Sequence, residues 1–301
     1  MPKVSYHVPV LKNEAIEGLN INPNGIYIDA TYGGGGHSGA ILEKLKKGKL
    51  VAFDQDNDAE KNVPDNKNLL FLKQNFRYLK TNLRFHGISK VNGILADLGV
   101  SSHQFDNKNR GFSFRHESIL DMRMNQNAKI TAADILNHYS LEKMIEIFRE
   151  YGEVYNAQKL ASIIVKQRDH KKFDTTGSLV NVISPIIPKK NENQYLAQVF
   201  QALRIEVNKE LVALKDFLMQ SIDILDNAGR LVIISYHSLE DRLVKNFMKT
   251  GGFTTEAEKD FFGNTSTPFK IVNKKVITPS TEEIKNNNRA RSAKMRIAEK
   301  I

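Results

Sequence analysis

Short apolar segments alternate with helix-like segments over the first hundred residues of the chain. The apolar segments predict buried strands at residues 26–29, 50–54, 69–72 and 91–97. Between them, apolar residues recur at helical spacing, and the first of these helices is predicted to end at Gly48 as a C-cap. This alternation of strand and helix predicts an α/β protein with a parallel, doubly wound sheet.

The pattern changes after residue 97 and returns near residue 211. A segment rich in arginine and phenylalanine is followed by helical periodicity only, as far as about residue 205. A long apolar stripe, a turn and a fifth strand at 230–235 then restore the first pattern. We therefore predict a core formed by residues 1–104 and 209–301, interrupted by a mostly helical insert at 105–208, with a basic tail at the C-terminal end.

One glycine-rich stretch organises the predicted core. Residues 26–39 comprise a short apolar strand, Asp29 at its end, four consecutive glycines and the start of a helix. Glycine allows the backbone to approach a ligand closely, and the first N–H groups of the helix, from about Ser38, have no partner within the helix. The stretch therefore predicts a nucleotide-like cofactor at the carboxyl edge of the sheet.

The glycine spacing also matches a dinucleotide fingerprint. Gly34, Gly36 and Gly39 have the required spacing, and Asp54 follows Gly34 by 20 residues, where an acid that binds ribose is expected. However, several residues separate the strand from the first glycine, and a carboxylate at the strand end would repel a pyrophosphate. These two details argue against NAD.

S-adenosylmethionine suits the same residues better, because it carries a sulfonium and an ammonium. The acid and glycine loop can hold its methionine end, Asp54 can accept from both ribose hydroxyls, and Phe76 can cover the adenine. Asp97, at the end of the fourth predicted strand, would lie beside the reactive centre. The alternative is that these residues are ordinary turn glycines and helix-capping aspartates.

Composition limits the class of partner and the cellular compartment that are expected for this protein. The chain has 44 Lys and Arg against 34 Asp and Glu, a formal net charge of +10, which favours a polyanionic partner such as nucleic acid over a merely basic proteome. It has no cysteine, no secretory leader and no apolar run long enough to span a bilayer. We therefore expect a cytoplasmic protein without a membrane partner, and the scattered histidines suggest no metal site.

Several longer motifs resemble one known family, the bacterial small-subunit ribosomal RNA methyltransferases of type H. The resemblance covers nearly the whole chain. It rests on the segments HVPVL (7–11), DATYGGGGHS (29–38), DLGVSS (97–102), RGFSF (110–114), LDMRM (120–124), SYHSLEDR (235–242), TPS (278–280) and RARSAK (289–294). The departures are small: Asn288 stands where proline is frequent, and Tyr236 where phenylalanine is common.

The resemblance implies a class I S-adenosylmethionine-dependent methyltransferase that acts on N4 of a cytidine in the decoding region of 16S rRNA, within the small ribosomal subunit. The cofactor contacts that it implies are Gly35, Gly36, His37, Asp54, Phe76, Asp97 and Gln104. Considered without the resemblance, His37 is expected to be a solvent-facing residue of the first helical turn.

Two residues are candidates for the chemistry of transfer to an exocyclic amine, whose lone pair is delocalised into the ring. Asp97 is expected to orient the amine or the cofactor, and His237 to hydrogen-bond the base or to move a proton. The alternative for His237 is that it caps the next helix. The neighbouring Tyr236 can stack on a flipped base.

Cationic and aromatic residues indicate how RNA would be held. The segment 110–123 mixes arginines with Phe112 and Phe114, which suits single-stranded RNA, and the tail adds Arg289, Arg291, Lys294 and Arg296 as phosphate contacts. The alternative is that the two phenylalanines pack between the domains. An NAD-dependent oxidoreductase and a non-catalytic RNA-binding assembly factor are the competing functions.

Overall fold

A computed structural model describes residues 9–256 and 267–301. His7 and Val8 of the first family motif lie outside the described residues. The described chain divides into two compact units. The sheet unit contains the residues up to Gly99 and those from Leu211 onwards, and the helical unit is Val100–Glu210. The predicted boundaries, after residues 104 and 208, lie a few residues from these.

The described strands are β1 (Ile26–Asp29), β2 (Lys49–Phe53), β3 (Leu69–Leu72), β4 (Val91–Asp97), β5 (Leu225–Ser235), β6 (Phe269–Ile271) and β7 (Lys294–Lys300). The described α-helices are α1 (Lys12–Leu19), α2 (Gly36–Lys44), α3 (Asn57–Glu60), α4 (Leu79–Phe85), α5 (Ser102–Asp106), α6 (Ala132–His138), α7 (Leu141–Glu150), α8 (Ala157–Arg168), α9 (Thr176–Ile183), α10 (Glu192–Asn208), α11 (Glu210–Ile224), α12 (Ser238–Thr250) and α13 (Thr281–Asn286).

The strands of the sheet unit form one sheet in the order β3-β2-β1-β4-β5-β7-β6. β1 to β5 are parallel, and β7 pairs antiparallel with both β5 and β6. The order reverses between β1 and β4, and in open α/β sheets a ligand binds at the carboxyl ends of the strands beside such a reversal. This is the predicted class I methyltransferase fold.

Both faces of the sheet are covered, as the continuous apolar strands predict. In β4, Ile94 and Ala96 pack on one face with α4, α11 and α12, while Leu95 packs on the other face with α1 and α2. Successive residues of a strand point to opposite faces, so a strand that is buried on both sides has no polar alternation. The core therefore fixes the carboxyl ends of the strands at one edge.

The basic C-terminal residues belong to the sheet, a feature that the sequence prediction did not specify. Residues 269–301 contribute β6, α13 and β7 to the sheet unit. In β7, Met295 and Ile297 are buried, and Lys294 and Arg296, which alternate with them, are partly exposed. Alternation of this kind is typical of a strand that is buried on one face. In this region the high density of charged residues makes the alternation hard to recognise in the sequence.

The ends of α2 also differ from the prediction. The helix begins at Gly36, two residues before the predicted start, and it ends at Lys44. Gly48 is not its C-cap, because the capping residue is Leu45 in an extended conformation. Gly48 is instead packed against the backbone carbonyl of Gly25, where a side chain would overlap.

The helical unit has its own apolar core, as the helical periodicity predicts. Ser140 caps α7, as expected, by accepting a hydrogen bond from the Lys143 N–H. Phe112 is buried in this core, and Phe114 packs edge-on against Phe200 of α10, with ring centroids 5.5 Å apart.

In the described ranges, no helix combines the length and the apolar character that crossing a membrane requires.

Candidate active site

Three aspartates meet at the carboxyl edge of the sheet. Asp29 and Asp97 are the last residues of β1 and β4, and Asp54 directly follows β2. These strands are neighbours in the order β2-β1-β4, so the three carboxylates lie on adjacent strand ends. The sequence predicted this arrangement because three of the four apolar segments end on an aspartate.

Two of these carboxylates hold the glycine loop. Asp54 accepts hydrogen bonds from the N–H groups of Gly33 at 2.7 Å and Asp56 at 2.8 Å. Asp29 accepts from the Thr31 N–H at 3.1 Å and the Ser38 hydroxyl at 2.7 Å. Asp29 also accepts from the Ser38 backbone N–H. The prediction that the helical N–H groups from Ser38 onwards are available to a ligand is therefore wrong for Ser38 itself.

Gly35 and Gly36 lie where a side chain has no room. Gly35 caps α2 with a φ of 77°, which favours glycine, and a Cβ there would lie 2.5 Å from the Tyr32 hydroxyl oxygen. A Cβ on Gly36 would overlap the ring of Pro9. By contrast, a Cβ on Gly39 would meet no atom within 4 Å. The formal dinucleotide fingerprint is thus not a structural unit here, since its third glycine has no steric role.

His37 is buried, with 5% of its surface exposed, so the expectation of a solvent-facing residue is wrong. Its Nε2 lies 3.0 Å from the Val10 carbonyl oxygen, and its Nδ1 lies 3.8 Å from Oδ2 of Asp97. A carbonyl can only accept, so Nε2 carries a hydrogen. In the neutral ring, Nδ1 then presents a lone pair towards the carboxylate.

Asp97 is fixed from two sides. Its backbone N–H donates to the Thr31 hydroxyl oxygen at 2.7 Å, and its Oδ1 accepts from the Tyr236 hydroxyl at 2.8 Å. The Tyr236 ring lies beside Gly99, where a Cβ would be 3.4 Å from the ring. Tyr236 therefore commits its hydroxyl to Asp97, and this geometry does not favour the expected stacking on a flipped base.

Among the residues that the structure describes, the acids of the site outnumber the cationic groups beside them. Burial, as the largest cause, raises the pKa of Asp54 to about 6 and that of Asp97 to about 6, and it also raises the pKa of Asp29. The charge of Asp29 raises the pKa of the other two further, whereas His37 lowers those of Asp29 and Asp97. A cationic ligand would stabilise these acids in their ionised form.

Phe76 lies after β3, the neighbour of the strand that precedes Asp54. It follows Asn75, whose side chain donates to Oε1 of Gln55 at 2.9 Å and so joins the loops after β2 and β3. The Phe76 ring is half-buried and packs edge-on against Phe217, with centroids 5.2 Å apart. The ring therefore has a fixed orientation beside the loop of Asp54.

His237 lies at the end of β5 and caps α12. Its Nδ1 accepts from the Glu240 N–H at 3.4 Å, and its Nε2 lies 3.1 Å from Oε1 of Glu240. The other carboxylate oxygen, Oε2, accepts from the Tyr236 N–H at 3.0 Å. Both ring nitrogens of His237 thus face Glu240, and the Nδ1 contact is the helix cap.

Comparison with known proteins decides the family. The family model described as the MraW methylase family matches residues 4–301. The chain belongs to this family. It is 56% identical to the ribosomal RNA small subunit methyltransferase H of Parabacteroides distasonis over 98% of both chains. It is 57% identical to the protein of the same name from Cytophaga hutchinsonii, over 98% of this chain and 99% of that one.

Membership of the MraW methylase family confirms the resemblance seen in the motifs.

Some residues of these motifs have structural roles in the helical unit. Arg110 is buried, and its guanidinium donates to the carbonyls of Arg123 and Met124. Arg123 forms a two-point ion pair with Asp121 at 2.7 Å. With Phe112 buried as well, the expectation that this segment presents its arginines and aromatics to RNA is wrong for these residues.

Gln104 belongs to the helical unit. It is buried in a capping box at the start of α5, where its Oε1 accepts from the Ser101 N–H at 3.0 Å and its own N–H donates to the Ser101 hydroxyl at 3.2 Å. A serine three residues before a glutamine is the sequence signal for this cap.

Sequence reasoning missed the contribution of Val10 and of the Tyr236 hydroxyl. Val10 lies 27 residues before His37 in the chain, and only its carbonyl takes part, so no residue type marks it. The Tyr236 hydroxyl, in contrast, is a departure visible in the sequence, and a polar group on an otherwise apolar side chain is a signal for a buried hydrogen bond.

Proposed function

We propose that this protein transfers the methyl group of S-adenosylmethionine to N4 of a cytidine in 16S rRNA, with the small ribosomal subunit as substrate and the cytoplasm as its compartment. The observation that carries this proposal is the group of three aspartates on adjacent strand ends, of which Asp29 is buried and Asp54 and Asp97 are partly buried. Their pKa values are raised, and their charge calls for a cationic ligand. Membership of the MraW methylase family and relatives named as small-subunit rRNA methyltransferases support the substrate class.

The residues present fit the cofactor. Asp54 retains lone pairs beyond its two backbone hydrogen bonds, which suits the ribose hydroxyls, and we assign Phe76 to the adenine. We assign Gly35, Gly36 and His37 to the methionine end of the cofactor. When bound, S-adenosylmethionine supplies an electrophilic methyl group on a sulfonium.

Asp97 is the residue that we assign to the amine. Its Oδ1 is occupied by the Tyr236 hydroxyl, so Oδ2 is the atom that would accept an N–H of the cytosine amine. Such a hydrogen bond orients the nitrogen lone pair towards the methyl group and provides an acceptor for the proton that the nitrogen loses after attack. His237 stays a prediction for proton movement, with capping of α12 as its observed role.

Exposed cations of the sheet unit are the candidates for contacts with RNA. Arg289 and Arg291 lie on the surface in the turn that precedes β7. Lys294 and Arg296 are less suitable, because both pair with Asp241. Phosphate contacts of this kind release counterions, so affinity for rRNA should fall steeply with salt concentration.

The decisive experiment maps methylation by mass spectrometry in 16S rRNA from cells that lack the gene. Complementation with the wild-type gene should restore one methyl group on N4 of one cytidine, Asp97→Ala should not restore it, and the surface variant Asp223→Asn should restore it fully. Restoration by Asp97→Ala would remove Asp97 from the chemistry, and a missing methyl group with the wild-type gene would overturn the function.

A binding assay separates the competing cofactor. S-adenosylmethionine should raise the melting temperature of the purified protein, and NAD at equal concentration should not, because its pyrophosphate would meet the carboxylates. Stabilisation by NAD alone would favour an oxidoreductase. Stabilisation by S-adenosylmethionine without any methylated rRNA would favour a non-catalytic RNA-binding factor.

A further inference from the structure

The Tyr236 side chain is held at both of its ends beside the strand end of β4. The hydroxyl donates to Oδ1 of Asp97 at 2.8 Å, and the ring lies beside Gly99. The backbone N–H of the same residue donates to Oε2 of Glu240 at 3.0 Å, which anchors the chain after β5 to the first turn of α12. The hydroxyl thus reaches Asp97 from a backbone that is itself fixed.

We propose that Tyr236 is a positioning residue for the transfer reaction: its hydroxyl holds Oδ1 of Asp97, keeps the carboxylate ionised and directs Oδ2 towards the amine of the target base. This inference rests on the proposed function. A carboxylate without such a donor can rotate and present either oxygen, whereas one donor on Oδ1 fixes its plane. A fixed acceptor gives a fixed orientation of the nitrogen lone pair, and correct orientation of the reacting atoms lowers the barrier to such a transfer.

The charged groups around Asp97 show why a neutral donor is needed. Asp97 faces His37 of α2, Asp29 of β1, Tyr236 and Glu240 of α12. Burial and the two other acids favour protonation of Asp97, while His37 and the Tyr236 hydroxyl oppose it. A protonated Asp97 could not accept a proton from the amine. The hydroxyl therefore stabilises the form that the reaction uses.

Tyr236 itself is not suited to act as the base. Burial, as the largest cause, followed by the charge of Asp97, raises the pKa of Tyr236 well above its usual value of 10, and Glu240 and Glu283 raise it further. The phenol consequently stays protonated at every pH at which the protein would work. It remains a hydrogen-bond donor, and the proton acceptor remains Asp97.

The test compares the pH dependence of methyl transfer in the wild type and in Tyr236→Phe, with small ribosomal subunits from cells lacking the gene as substrate. The variant keeps the ring and loses only the hydroxyl. We expect the acid limb of its pH–rate profile to move upwards by roughly one pH unit, with roughly a fivefold to tenfold loss of rate near pH 6 and a small change near pH 8.5. Rates should be measured at saturating cofactor, so that weaker binding does not enter.

Tyr27→Phe is the matched control. Its hydroxyl is also buried in the sheet unit and accepts from the Asn22 N–H at 2.7 Å, away from the three aspartates. We expect this variant to keep the wild-type pH profile even if its melting temperature falls. A merely structural role of the Tyr236 hydroxyl would lower the melting temperature of Tyr236→Phe without moving its pH profile.

The outcomes separate this inference from the proposed function. If the wild type methylates the subunit and Tyr236→Phe has the same acid limb, the positioning role is wrong. If the wild type transfers no methyl group, the proposed function fails first. If Tyr236→Phe is poorly folded at the assay temperature, both pH profiles are measured at a lower temperature at which wild type and variant are folded, and an unmoved acid limb there would equally overturn the inference.

Discussion

His37 Nδ1 lies 3.8 Å from Oδ2 of Asp97, while the opposite nitrogen of the same ring is bound to the Val10 carbonyl. The segment before α1 therefore determines which ring nitrogen of His37 points to Asp97. With a hydrogen on Nε2, a neutral ring directs a lone pair at a carboxylate, which is unfavourable unless a proton or a cation lies near both. A proton or a cationic ligand beside His37 and Asp97 would therefore be stabilised, which leads to two predictions.

Replacement of His37 by alanine should weaken the binding of S-adenosylmethionine. When it carries a proton, the imidazole opposes the rise in the pKa of Asp29 and Asp97, so both acids will protonate more readily in a variant that cannot hold that charge. We expect a loss of roughly tenfold to one hundredfold in affinity near pH 7, as measured by titration calorimetry. His86→Ala, at the exposed end of α4, is the matched control and should bind normally. Unchanged affinity of His37→Ala would show that the ring has no part in the charge balance.

Binding of S-adenosylmethionine should depend on pH with a defined sign. The pKa of Asp54 and that of Asp97 are each about 6 in the folded protein, chiefly through burial, against 3.8 for a free aspartate. Between roughly pH 4 and pH 6 the folded state therefore binds more protons than the unfolded state, and the free energy of unfolding of the cofactor-free protein falls as pH rises through this window. A cation favours the ionised acids, so affinity should increase from about pH 5 to about pH 7 and then level off.

S-adenosylhomocysteine provides the control for this effect, because it lacks the sulfonium charge. Its affinity should change less over the same pH range, and it should displace fewer protons from the site when it binds. Calorimetry in two buffers with different ionisation enthalpies measures that proton release directly. Equal pH dependence for both ligands would mean that the sulfonium does not interact with the aspartates.

The glycine loop gives a steric prediction. Gly36→Ala should abolish binding, because its Cβ would overlap the ring of Pro9, and the backbone of the loop would have to move. Gly39→Ala should be tolerated and should stabilise α2 by about 0.5–1 kcal/mol, since the site is open and alanine favours a helix. Circular dichroism for stability and calorimetry for binding test both variants. A functional Gly36→Ala would contradict the steric prediction, and an inactive Gly39→Ala would restore the dinucleotide interpretation of the loop, in which the third glycine is required.

Much of the sheet could be predicted from the sequence because β1 to β4 are buried on both faces. Such strands consist of continuous apolar residues, and the polar residue that ends each run marks the ligand edge. Asp29, Asp54 and Asp97 were therefore found from the pattern. β7 was not found, because its buried Met295 and Ile297 alternate with charges in a region that is basic throughout.

The environment of single side chains was less accessible. Phe112 was expected in an RNA-binding segment, yet it packs in the core of the helical unit, and no local pattern separates these two uses of an aromatic residue. The orientation of His37 depends on the backbone carbonyl of a residue 27 positions away. Every residue has a backbone carbonyl, so the residue type at that position does not reveal the contact. Propensity and periodicity report on neighbouring residues, so contacts through the backbone of distant residues remain hidden.

The ion pairs of β7 predict how the last strand is held. Asp241 of α12 accepts from Arg296 at 2.7 and 3.2 Å and lies 3.6 Å from the Lys294 amine. The side chains of Asp241 and Arg296 are 14% and 21% exposed, so the pair is largely shielded from water. Asp241→Ala would leave the Arg296 guanidinium without this partner, and we expect a loss of about 1–3 kcal/mol in the free energy of unfolding.

Asp223→Ala is the matched control for this loss. Asp223 pairs with Lys80 at 2.6 Å, but the two side chains are 55% and 58% exposed. A solvated pair of this kind contributes little, so the control should lose less than about 1 kcal/mol. Urea unfolding followed by circular dichroism gives both values, and hydrogen exchange should show faster exchange of the β7 amides in Asp241→Ala alone. Equal losses in the two variants, with β7 exchange unchanged, would mean that the backbone pairing with β5 is sufficient to hold the strand without the ion pair.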